Sequence, residues 1–227
     1  MIAVFYHCLF FKGEPPELLP QAIEVVVEQM MELKRSGLED AAQEIHVGIN
    51  GGEESKELAQ LVLPPKAKLI YHGLQCRNEC RTIVEIEKWL PGHENWMVLY
   101  FHTKGITHVP NTGYAQMDAR WRRCMMKNCV TRWPECVASL KSGYEAVGVH
   151  WLTGMCNGSQ HYFAGTFFWA TGKYLRTLPS IFERERIKVS GIDNIDSRYE
   201  AEVWLGNGPR IPRIRDMDRS HGIMQCP

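Results

Sequence analysis

The chain has no surplus of either charge, with 26 lysines and arginines against 26 aspartates and glutamates among its 227 residues. No global field draws it to nucleic acid or to an acidic membrane surface, so any basic patch must be local. It also has no apolar run approaching the roughly 18 residues of a membrane span. The opening Met1-Ile-Ala-Val-Phe-Tyr-His-Cys-Leu-Phe-Phe11 lacks a positive leading segment and runs into Lys12-Gly-Glu instead of a small-residue cleavage site. It reads as a buried first strand and not as a signal peptide. The expectation is a soluble, cytoplasmic protein with no nucleic-acid partner and no membrane span.

Several chemical signatures are missing as well. A dinucleotide site needs Gly-x-Gly-x-x-Gly after the first strand, where this chain has Tyr6-His7-Cys8-Leu9 and no glycine before Gly13. The glycine that a phosphate-binding loop would place ahead of Gly172-Lys173 is Phe167. Neither His-Glu-x-x-His nor Gly-x-Ser-x-Gly occurs, which speaks against a zincin and against a serine hydrolase elbow. The 8 cysteines include no Cys-x2-Cys pair, and the spacings Cys76-x3-Cys80 and Cys124-x4-Cys129-x6-Cys136 are loose. A chain of this size folds without disulfides, so the cysteines read as thiols, with a cysteine-metal interaction protein as an outlying alternative. Asn157-Gly-Ser159 fits a glycosylation sequon but reads as a loop.

What is present is alternation of strand and helix. Ile2–Tyr6 is followed by a helix with Leu19, Ile23, Val26, Met30 and Leu33 on one face, ended by Gly37. Glu44–Asn50 is a second strand closed by an Asn50-Gly51-Gly52 turn. Lys68–Tyr71 is a third, and a helix beginning at Asn78 carries Ile83, Ile86, Trp89 and Leu90 up to Pro91-Gly92. Such alternation implies crossover connections and a mostly parallel, Rossmann-like sheet flanked by helices. Further on, the pattern predicts two helices between Asn111 and Lys141 joined near Trp133-Pro134, a strand over Tyr144–Trp151 and a polar loop over Leu152–Gln160. A continuous strand His161–Ala170, a short helix ending near Pro179, a helix over Tyr199–Leu205 and an irregular tail after Gly206 complete it. The whole chain, 1–227, is read as one domain, with a nucleotide-holding half (1–108), an acceptor half (109–208) and a tail (209–227).

Two junctions carry chemistry. The apolar strand Trp96–Phe101 runs straight into His102-Thr103-Lys104-Gly105, and in open α/β sheets ligands bind outside the carboxyl ends of the strands. Lysine supplies a point charge for a phosphate, and the threonine hydroxyl and glycine backbone can donate to it; a protonated histidine can help. The second junction is the aromatic, glycine-broken His161–Ala170, followed about thirty residues later, the length of one loop-and-helix unit, by Arg198-Tyr-Glu-Ala-Glu202. Trp169 there can stack on a sugar or simply fill the core. A carboxylate at a helix start is stabilised by the macrodipole and is also suited to take a proton from an alcohol.

Taken in order, Tyr100-Phe-His-Thr-Lys-Gly105, Trp121-Arg122, Gly165-Thr-Phe-Phe-Trp-Ala170 and Arg198-Tyr-Glu-Ala-Glu-Val-Trp-Leu-Gly206 resemble glycosyltransferases of the GT-A fold. The likeness is to small enzymes of surface-polysaccharide and viral glycan pathways, and it covers about Tyr71 to Gly206. It implies a GT-A-like domain that moves a hexose or pentose from a nucleotide sugar (UDP-, GDP- or dTDP-linked) to a hydroxyl of a glycan, with inversion. By the same resemblance Tyr6, His7, His102, Thr103, Lys104, Gly105 and Arg122 surround the donor, with His102, Lys104 and Arg122 neutralising the leaving diphosphate. Gly165, Trp169 and Arg198 face the acceptor, and Glu202, or Glu200 after it, is the general base.

The chain departs from many GT-A enzymes in having His-Thr-Lys where they place a metal-binding Asp-x-Asp. Asp216-Met-Asp218 carries those letters only in the tail, so Asp216, Asp218 and His221 would be ligands only if the tail folds back. No cofactor is required on this reading, and manganese or magnesium is the ion such a site would take. The alternative from another class is a non-catalytic carbohydrate- or nucleotide-binding module.

Overall fold

The first strand, β1 (Ile2–Leu9), is buried along nearly its whole length, as strands covered on both faces are. The computed structural model describes residues 1–10, 18–73, 79–106, 108, 112–154, 160–181 and 198–218. Within them α1 (Leu18–Arg35), α2 (Leu38–Ala41), β2 (Glu44–Asn50), α3 (Glu54–Val62), β3 (Lys68–Gly73), α4 (Cys80–Trp89) and β4 (Met97–His102) follow in the expected alternation. β2 and β4 flank β1 and β3 lies beyond β2, all parallel.

The second half begins with α5 (Gly113–Met125), which passes through a π-helical turn, Met126–Thr131, towards α6 (Trp133–Lys141). Then come β5 (Ala146–Gly148), β6 (Trp151–Gly154), β7 (Gln160–Phe163), β8 (Phe168–Thr171), α7 (Gly172–Leu175), α8 (Arg198–Trp204) and β9 (Ile214–Asp216). The main sheet has the order β3-β2-β1-β4-β8-β5-β9, and β6 pairs with β7 separately. β8 is antiparallel to both its neighbours, while β9 runs parallel to β5. The protein is thus a mixed α/β fold on a mostly parallel, Rossmann-like sheet, and strands from both halves of the chain share it.

Three expectations are corrected here. His161–Ala170 is not one strand, because Gly165 and Thr166 adopt left-handed φ values of 83° and 59° and turn the chain between β7 and β8. The tail is not wholly irregular: β9 joins the sheet at its edge, where flanking prolines remove no ladder bond. Tyr144–Trp151 likewise divides into β5 and β6 around His150, which has φ 57°.

Alternation along the strands sorts side chains into two layers. Tyr6, Phe101 and Trp169 pack with α1 and α6 on one face. Phe5, Tyr100 and Phe168 pack with Ile83 and Ile86 of α4 and Trp204 of α8 on the other. Each such side chain fully removed from water contributes about 1.5–3 kcal/mol before entropy is counted. His7 follows Phe5 by two, and His102 follows Tyr100 by two, so both imidazoles belong to the α4/α8 layer. No helix among the described residues is long and apolar enough to cross a membrane.

Candidate functional site

The strand order steps outward from β1 in both directions, to β2 on one side and β4 on the other, and this reversal is where doubly wound sheets open a crevice at their carboxyl ends. At that edge His7 of β1 pairs in register with His102 of β4. The Thr103 amide donates to the His7 carbonyl at 3.0 Å, and the Thr103 hydroxyl accepts from the Leu9 amide at 3.1 Å. Thr103 is buried, so its role is to tie the two strand tips together.

Beneath this edge lies a buried polar layer. His7 Nδ1 stands 2.9 Å from Thr82 Oγ1, which is 3.4 Å from His72 Nε2. The approach of α4 that makes this possible requires Gly48, since a Cβ there would overlap the Thr82 hydroxyl and press on His72 Nε2 at 2.7 Å. Burial lowers the pKa of His7 to about 3, against a weaker upward pull from Glu79. Its ring is therefore neutral at physiological pH.

The sign of the resulting pH dependence follows directly. An unfolded histidine binds a proton near pH 6.5, whereas folded His7 refuses it until about 3, so stability is full above about 6.5 and falls as pH drops. Between pH 7 and 5 His7 alone should cost about 2 kcal/mol. His46 and His72, also held low mainly by burial, act in the same direction. Urea unfolding at pH 7, 6 and 5 should show His7→Gln flattening the profile by about that amount; an unchanged slope would contradict it.

His102 is held on both sides. Its Nδ1 lies 2.9 Å from Glu79 Oε2, and its Nε2 lies 2.9 Å from the Gly165 carbonyl. A carbonyl only accepts, so Nε2 carries the hydrogen there. Burial works to raise the Glu79 pKa, but the adjoining His102 ring, through charge and hydrogen bond, holds the carboxyl below its usual range. Gly165 is needed for its φ of 83° and because a Cβ would meet Met125 Sδ at 2.7 Å.

The loop beyond β4 is clamped from behind. Arg122 donates to the Lys104 carbonyl at 2.8 Å and pairs with Glu28 at 3.2 Å. Gly105 lies against the Asp118 side chain, which in turn meets His108 at 2.6 Å. The Lys104 ammonium sits 4.1 Å above the Trp121 ring, a cation–π contact that leaves the side chain partly exposed.

These positions divide the residues expected from the sequence. His7, His102, Thr103, Lys104 and Gly105 do come together at the switch point, but of these only Lys104 offers a partly exposed cation. Arg122 is 7% exposed and braces the loop rather than facing a ligand. Tyr6 is fully buried, with its hydroxyl donating to Gln29 Oε1 at 2.7 Å. Trp169 is also fully buried, donating to the Cys129 carbonyl at 2.7 Å, so it is core and does not stack on a sugar. Glu200 is 6% exposed and Glu202 half-buried, both on α8 in the layer that holds His102. Arg198 opens that helix, and His221 lies outside the described residues.

At the same edge of the sheet, past β5 and β9, a second group assembles. Asp216 Oδ1 accepts from the amides of His150, at 3.0 Å, and Asp218, at 3.1 Å, while its Oδ2 accepts from the Trp151 amide at 2.9 Å. This brings Asp218 Oδ2 to 3.3 Å from Cys124 Sγ, itself 4.0 Å from His150 Nε2. The tail does fold back, but Asp216 is spent on backbone amides. Cys124 and Asp218 were each visible as candidate ligands, but nothing in the sequence joins Cys124 to His150, 26 positions away, or to Asp218, 94 away.

The β4 tip does not fit a manganese or magnesium ion. These ions take oxygen ligands, and the donors there are the Lys104 ammonium, the committed His102 ring and the Glu79 carboxylate paired with it. A cavity of about 700 Å³ opens at the opposite edge of the sheet, among Trp96, Thr171, Lys173 and Arg210. It lies at the amino ends of the parallel strands, the wrong end for a switch-point ligand.

Fold and site together define an α/β protein with a polar, histidine-rich switch point and one partly exposed lysine beside it. No protein-family model and no curated protein matches the sequence. Among solved structures it is similar to a nucleotidyl transferase from Methanothermobacter thermautotroptrophicus, at 11% identity and TM-score 0.43 over 97% of this chain and 88% of that one. It is similar also to a 4-diphosphocytidyl-2C-methyl-D-erythritol synthase, at 13% identity and TM-score 0.42 over 96% and 89%. A Mycobacterium tuberculosis H37Rv protein in complex with manganese matches at 10% identity and TM-score 0.35 over 75% and 70%. Likeness this distant carries no information about chemistry.

Proposed function

We propose that the chain is a glycosyltransferase that moves a sugar from a nucleotide sugar to a glycan hydroxyl with inversion. The observation that supports this most is the meeting of the His102–Gly105 loop with the β1 tip at the switch point, with His102 on the sheet face against which α8, the helix of Glu200 and Glu202, packs through Ala201 and Trp204. The acceptor oxygen attacks the anomeric carbon as the bond from that carbon to the phosphate oxygen breaks. The acceptor proton passes to a carboxylate, and the charge gathering on the diphosphate is met by the Lys104 ammonium. Of the two carboxylates, half-buried Glu202 can reach a substrate better than Glu200, which is packed inside. Thr103, Arg122 and the His102–Glu79 pair act by holding the loop in place.

The decisive experiment is release of nucleoside diphosphate from UDP-, GDP- and dTDP-sugars by the purified protein, with and without glycan acceptors. Turnover is expected, and Lys104→Ala should lower kcat/KM by roughly 10–100-fold, the loss of one charge-assisted contact. Binding of nucleotide sugar without any turnover would make the protein a carbohydrate- or nucleotide-binding module instead.

A further inference from the structure

We propose that Cys124, His150 and Asp218 bind one zinc ion, tying the segment after β9 to α5 and to the β5–β6 junction. The ligand atoms, one from each residue, lie within 4.8 Å of one another. Zinc bond lengths of about 2.0–2.3 Å at tetrahedral angles put sulfur–nitrogen and sulfur–oxygen pairs about 3.6 Å apart. Here those two distances are 4.0 and 3.3 Å, each within a few tenths of an ångström of that value. Cys124 and His150 are 6% and 4% exposed, while Asp218 is half-buried and leaves an entry path.

Three features of the surroundings favour an ion. Asp216 fixes the backbone at both His150 and Asp218, the kind of support that orients metal ligands. The Asn128 amide donates to the Cys124 carbonyl at 3.0 Å and lies 3.7 Å from its sulfur, which fixes the position of the thiol. His150 is held at φ 57°, a conformation costly for a non-glycine residue, and the π-helical turn begins two residues after Cys124. Both features concentrate at functional sites. A thiolate, an imidazole and a carboxylate suit zinc, whereas manganese and magnesium prefer oxygen. Three protein ligands are also the number found in zinc sites that keep a fourth position for water or substrate.

The inference stands apart from sugar transfer, and its test does not use activity. The full chain, stripped with chelator, is titrated with zinc and with cobalt(II), followed by metal analysis, thermal unfolding and absorption. One equivalent of zinc should bind and raise Tm by roughly 5–10 °C at a hundredfold excess over Kd. Cobalt should give a thiolate charge-transfer band that Cys124→Ser abolishes, and Asp218→Asn should weaken zinc at least tenfold. If Cys124→Ser does not fold, the half-buried Asp218→Asn decides. No binding of either ion, binding unchanged in both variants, or tighter binding of manganese or magnesium than of zinc would overturn the proposal.

Discussion

Glu202→Gln is expected to lower turnover of nucleotide sugar by about 10²–10⁴-fold, the usual contribution of a positioned general base, while leaving the fold intact. The substitution is isosteric and falls on the half-buried position of α8, between Ala201 and Val203, which anchor the helix and are fully buried. Loss of the carboxylate removes the group that accepts the acceptor's proton, so kcat should fall with little change in KM for the donor. Glu200→Gln offers the contrast. Glu200 is nearly enclosed, so its loss should show in stability before it shows in kcat. Steady-state kinetics on both variants, with urea unfolding beside them, separate the roles. A Glu202→Gln enzyme working at the parent rate would remove the base assignment.

The parts of this architecture written locally were readable from residue letters. Continuous apolar runs gave β1, β2 and β4, and a period-3.6 pattern gave α1, with small boundary errors, because strands buried on both faces and a helix with one buried face leave those marks in the sequence. The His102–Gly105 loop was visible for the same reason, as polarity beginning where an apolar strand ends. What letters could not show was which polar groups satisfy one another. Glu79 meets His102, and Thr82 meets His7, at a sequence separation of 75 in the latter case. Trp169 shows the converse error: an aromatic beside glycine suggests a sugar platform, but its indole N–H finds the Cys129 carbonyl inside the protein. The division of His161–Ala170 was hidden because alternation continues through Thr166, a residue with no letter-level sign of a left-handed φ. Cys124, His150 and Asp218 converge only through the return of β9 to the sheet edge, a tertiary event.

The buried Glu79–His102 pair yields the other large effect, and it falls on stability. Side chains 8% and 13% exposed face each other at 2.9 Å, while the far nitrogen of His102 donates to the Gly165 carbonyl. Glu79 and the Gly165 carbonyl thus hold the ring from both sides. Glu79→Ala leaves the buried Nδ1 of His102 without its partner, and breaking a buried pair by removing one member costs about 3–5 kcal/mol. Glu79→Gln should cost less, about 1–3 kcal/mol, because its amide can donate to Nδ1 of a neutral ring that still donates from Nε2 to Gly165. The ordering matters, since loss of packing alone would leave Gln indistinguishable from the parent. Urea denaturation at pH 7 measures it. Glu79→Ala within 1 kcal/mol of the parent would mean that the pair does not hold the β4–β8 junction. In that case the Lys104 loop, which leaves β4 two residues beyond the His102 ring, would have to be positioned by Arg122 and Thr103 alone.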